Sequence, residues 1–93
     1  MKPANDNFTT ISILLAQYGQ RAVIPVDLVC RDYFSHLDPT KFVRKVSEGA
    51  IRIPLVRMES SQKCAKGVHV ADLAEWVDAR REAARKECRQ LAA

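Results

Sequence analysis

Lys41, Arg44 and Lys45 stand at i, i+3 and i+4, the spacing that gathers side chains on one face of a helix. A guanidinium offers a fork of N–H donors to guanine or to a phosphate, whereas an ammonium is a point charge suited to phosphate. Arg44 is therefore the candidate for a base or phosphate contact, and Lys41 and Lys45 for phosphate positioning. Arg52, Arg57, Lys63 and Lys66 follow, so residues 41–66 carry seven basic groups against Glu48 and Glu59. Seven minus two is +5, and a net charge of +4 for all 93 residues leaves −1 for the rest. A positive field confined to about a quarter of the chain suits a polyanionic partner, the ordinary alternative being a solvated charged face.

Other residue types with chemical reach are scattered. Cys30, Cys64, Cys88, His36 and His69 are the kinds that bind zinc, yet none stands in C-x-x-C or H-x-x-x-H spacing. A Cys/His nucleophile would need a positioned base and an oxyanion hole, and neither a Gly-rich turn nor a nucleophile motif announces one. The expectation is a non-enzymatic chain with no metal, no cofactor and three free thiols in a reducing compartment. Cys30 falls on an apolar face and reads as core, while Cys64 falls in a polar stretch and reads as exposed. Tyr33, Phe34 and Trp76 read as core aromatics rather than base-stacking platforms.

The elements that must hold these residues follow from hydrophobic spacing. Ninety-three residues, 47 % of them apolar, are enough for one modest core. After a polar leader over residues 1–10, Ile11, Leu14, Leu15 and Tyr18 make one face of a helix that Gly19 stops. Pro25 is placed as the first residue of a second helix, whose face is Val26, Val29, Cys30 and Tyr33 and whose end is near Phe34. Asp38 followed by Pro39 is an N-cap acid before a proline at the first helical position, and Phe42, Val43 and Val46 give the third helix its stripe, with Gly49 closing it. Two short helices joined by about four residues form a helix-turn-helix. Ile51, Ile53 and Leu55 alternate with Arg52 and Pro54, which predicts an edge strand running to about Met58. Residues 59–66 (ESSQKCAK) form a long basic hairpin tip before a second short strand at 67–70. His69, between Val68 and Val70, is expected to point away from their face, toward a phosphate or water. A last helix begins at Ala71 with Leu73, Ala74 and Val77, and residues 82–93 extend it as a helix-forming but poorly apolar segment.

The whole reads as a mainly α fold with a small β-hairpin, a winged helix-turn-helix of the excisionase/MerR-like kind over residues 11–81, with an extra N-terminal helix and a long C-terminal one. In that plan one helix enters the major groove and the wing reaches phosphates or the minor groove. No apolar run approaches the roughly 20 residues of a bilayer-spanning helix, and residues 1–10 lack a secretory signal's apolar stretch, so a soluble cytoplasmic protein is expected. Val70, Val77, Ala84 and Leu91 recur every seven residues, with Cys88 adjoining and Arg81 interrupting. A homodimer through the C-terminal helix and a single solvated helix are equal readings of that pattern.

Six strings carry a family resemblance: AQYG (16–19), AVIP (22–25), DYF (32–34), KFVRKV (41–46), PLVRME (54–59) and SQKCAKGVHVADLAEWVDARR (61–81). Together they resemble the pyocin activator protein (PrtN-type) family over about 11–84, with S-Q-K-x-A-K-G-V-H at 61–69 the most specific part. The resemblance implies a small transcriptional activator of phage-derived or bacteriocin genes, binding double-stranded promoter DNA once DNA damage relieves a repressor, with RNA polymerase as a further partner. It carries a DNA-binding role onto Lys41, Arg44, Lys45, Gln62, Lys63, Lys66 and His69. Arg52 and Arg57 join them from the basic stretch alone. Two other readings stay open: an excisionase-like architectural protein that bends DNA, and an antirepressor-type interaction module whose basic face binds an acidic partner.

Overall fold

In this computed structural model, residues 6–61 and 63–92 are described. They run helix, strand, helix, helix, two-stranded hairpin, helix: α1 (Asp6–Gln17), β1 (Val23–Pro25), α2 (Val26–Tyr33), α3 (Pro39–Ser47), β2 (Val56–Arg57), β3 (Lys66–His69) and α4 (Val70–Ala92). None of the helices among these residues is long and apolar enough to cross a membrane.

The expected helices form, and their ends show why. α1 begins at Asp6, ahead of its apolar stripe and inside the expected leader, whose residues 1–5 lie outside the described residues. It ends where Gly19 turns left-handed at φ +73° and Gln20 N–H reaches back to the Leu15 carbonyl at 2.8 Å. α3 starts on Asp38, whose carboxylate accepts the Lys41 N–H at 2.8 Å, with Pro39 filling the first helical position. It stops at Gly49, φ +81°, where Gly49 N–H meets the Val46 carbonyl and Ala50 N–H the Lys45 carbonyl. This pair of reverse bonds satisfies carbonyls that an abrupt end would strand.

The sheet differs from the expected two-stranded hairpin. It has three strands in the order β1-β3-β2, both pairings antiparallel. Val23 to Pro25 form a strand, and Pro25 caps α2 instead of opening it. As an edge residue Pro25 forfeits no ladder bond that the fold needs. It stands opposite Gly67, where an added Cβ would lie 2.6 Å from the Ile24 carbonyl oxygen and from Val23 Cγ1, so only glycine allows β1 and β3 to approach this closely. The strand expected over 51–58 shrinks to Val56 and Arg57. Ile51 and Ile53 are buried and Arg52 and Pro54 exposed, so the alternation is real, but it belongs to extended chain lying on the core without a ladder partner.

Leu14, Ile24, Val29, Phe42, Val68 and Leu73 are the largest fully buried side chains, one from each element except β2. Phe34 joins α2, α3 and α4 by stacking obliquely on Phe42 at 4.9 Å and on half-buried Trp76 at 5.9 Å between ring centres. α1 packs along α4, and Thr10 donates to the Asp78 carboxylate at 2.6 Å across that seam. A polar cluster clips α1 to α2. Asp32 accepts from Tyr18, from the Arg31 guanidinium at 2.8 and 2.9 Å, and from Gln17 at 3.3 Å. Arg31 and Tyr18 hold the Asp32 carboxyl well below its ordinary value, at about 2. Burial, then Asp32, pushes the Tyr18 phenol upward.

Candidate nucleic-acid interface

Phe42 anchors α3 to the core, so the opposite side of that helix faces outward. Lys41, Arg44 and Lys45 are all exposed there, Arg44 opposite Phe42 and the lysines to one side. Helical spacing sets Thr40 and Ser47, also exposed, on the other side of Arg44, a pair that charge counting overlooks because their hydroxyls carry none. The i, i+4 step from Thr40 to Arg44 is the signal that reveals them.

An open groove of about 480 Å³ separates α3 from the β2–β3 hairpin. Pro39, Thr40 and Val43 line one wall, Cys64, Ala65 and Lys66 the other, and Pro25, Val26 and Asp27 at the start of α2 the floor. Its walls are mostly apolar, with Lys66 positive and Asp27 negative. Arg57 and Lys66 are direct cross-strand partners, which sets two cations side by side on one face of the hairpin. Like charges opposed in this way cost stability in the free protein and are relieved by an anion. The Lys66 ammonium also donates to the Cys64 carbonyl at 3.4 Å, which holds it at the groove.

The loop beyond is organised locally. Met58 N–H reaches the Ala65 carbonyl, Cys64 N–H the Ser61 carbonyl, and Lys63 N–H the Ser61 hydroxyl at 3.1 Å, leaving the Lys63 side chain exposed at the tip. Gln62 lies outside the described residues. Cys64 is half-buried rather than exposed, its thiol donating to the Glu59 carbonyl at 3.2 Å. Cys30 is buried as expected, and burial, with Asp38 and Asp27 nearby, pushes its thiol pKa up, away from reactivity. Among the described residues no three His, Cys, Asp or Glu side chains cluster so as to hold a metal ion.

Two residues expected at the interface are placed elsewhere. His69 occupies the end of β3 remote from the loop, and its Nδ1 accepts the Ala71 N–H at 3.0 Å. It caps α4, a task usually given to Ser, Thr, Asp or Asn and so invisible to a search for caps. Arg52 lies beside Asp72, Glu75 and Trp76 at a second hollow against α4, apart from the α3–hairpin groove.

A family model described as pyocin activator protein PrtN matches residues 10–84. The chain belongs to that family. The family is one of activators of pyocin genes, not of enzymes. Its match runs from Thr10 in α1 to Ala84 in α4, so it includes α3, the groove and the hairpin but stops short of the end of α4. No curated protein and no solved structure matches the chain.

Proposed function

We propose that this chain is a winged helix-turn-helix activator that binds duplex DNA at the promoters of pyocin-type or related phage-derived genes. α2 and α3 are the helix pair, and α3 enters the major groove, which is about 12 Å wide and admits a helix. Arg44 reaches base edges with Thr40 and Ser47 beside it, while Lys41 and Lys45 meet the phosphates of the flanking strand. The β2–β3 hairpin is the wing, bringing Arg57, Lys63 and Lys66, with Gln62, to the sugar-phosphate backbone across the groove. The observation that carries this reading is the open groove bracketed by α3 and the hairpin, with cations on both elements. Family membership supports the activator role, which makes RNA polymerase a second partner and the cytoplasm the place of action. Induction after DNA damage belongs to the same proposal.

Footprinting on the control regions of the neighbouring genes tests it. Protection upstream of a promoter, together with transcription from that promoter in a reporter strain that depends on Arg44, is the expected result. Protection confined to a recombination site would make the chain an excisionase-like architectural protein, and binding only to a protein partner would make it an antirepressor.

A further inference from the structure

Every residue of the second half of α4, from 79 to 92, is exposed. Val70, Leu73 and Ala74 are buried on one side of the helix, and half-buried Val77 is the last residue of that side to reach the core. At 100° per residue the same side continues through Ala84, Cys88 and Leu91, yet every residue from 79 to 92 is exposed. Leu91, at 83 %, is the most exposed large apolar side chain among the described residues. These 14 residues extend about 21 Å. Val70 is only 6 % exposed and so is lost to any seam, which shortens the seven-residue repeat to Val77, Ala84 and Leu91.

The charges interleaved with that strip state what covers it. Arg81 interrupts the strip between Val77 and Ala84, and Arg80 and Glu87 flank it on one side, where facing helices touch. Two copies running parallel would stack Arg81 on Arg81 in the seam, a repulsive layer. Running antiparallel about Ala84, they set Arg81 of one copy level with Glu87 of the other, with Arg80 one residue away, and Val77 level with Leu91, each twice. Small Ala84 and Cys88 at the centre allow the helices to approach closely. We infer that residues 77–91 of α4 pair antiparallel with the same residues of a second copy, around a twofold axis at Ala84.

The strip is narrow, so the association is weak and concentration-dependent. It is independent of the DNA-binding proposal, and its test uses the protein without DNA. Sedimentation velocity of the full chain from micromolar to millimolar concentration should show a monomer–dimer equilibrium. Leu91→Asp, a change at an exposed site, should weaken it by about tenfold or more with the circular dichroism spectrum unchanged. Orientation is read by disulfide formation in a Cys64→Ser background. Antiparallel helices hold the two Cys88 residues about 12 Å apart along the axis, beyond the roughly 7 Å that a disulfide spans. Ala84→Cys with Cys88→Ser should therefore cross-link readily under mild oxidation, and the chain retaining Cys88 should not. A monomer at every concentration, an unchanged equilibrium in Leu91→Asp, or cross-linking through Cys88 as fast as through position 84 would each overturn the inference.

Discussion

Arg44 carries most of the expected specificity, because it alone combines an outward position on α3 with a planar fork of donors. Arg44→Ala is expected to cost about 1–3 kcal/mol on the cognate site and to relax preference at one base position, which a binding-site selection would read. Lys45→Ala should weaken all sequences about equally. Both sites are exposed, so thermal stability should change by no more than about 0.5 kcal/mol. Gly67 is the opposite case, buried and bound to its type by the 2.6 Å approach of the Ile24 carbonyl. Gly67→Ala should destabilise by about 1–3 kcal/mol through forced separation of β1 from β3, seen as a lowered thermal midpoint. Asp32 sets part of the acid limb of stability. Its folded pKa of about 2 lies below the ordinary 3.8, so its contribution is present above about pH 4 and disappears as the pH falls toward 2. Asp32→Asn should flatten that part of a plot of thermal midpoint against pH.

Elements differed in how far their sequence declared them. α3 was fully legible because its signals are local: an acid cap, a proline, an apolar stripe and a closing glycine, all within 12 residues. β1 was not, since Val23, Ile24 and Pro25 are too few to show alternation and their partner in β3 lies more than 40 residues away. Ile51 to Leu55 misled in the other direction, since alternate burial needs only an extended chain on a core, whereas a strand also needs a neighbour to accept its N–H groups. The same contrast governs the interface. Lys41, Arg44 and Lys45 could be found by counting along one helix, while the removal of Arg52 to the α4 side and of His69 to a helix cap depended on distant packing. The hairpin is the element whose role is most open to test. Replacing Lys63 and Lys66 together by Ala should make the salt dependence of DNA binding shallower by about 1.8 in log–log slope, two phosphate contacts at about 0.9 each. A double variant that is folded and keeps the wild-type slope would take the hairpin out of the interface.

Seen whole, the molecule measures 49 × 29 × 20 Å, elongated for 93 residues. The body buries its apolar groups around Phe34 and Phe42, and the exposed half of α4 stands apart from that core. A twofold pair through α4 would carry two copies of α3, and the matching DNA site would be an inverted repeat. The central claim, that the cations of α3 and the hairpin meet the phosphates of a duplex, is most directly tested by titrating DNA binding against salt. Six cations lie on those two elements: Lys41, Arg44, Lys45, Arg57, Lys63 and Lys66. With five of them on phosphates and Arg44 on a base, log K should fall against log salt with a slope of about −4.5 per chain. A slope shallower than about −1.5 would contradict the account and make the basic surface a site for a protein partner.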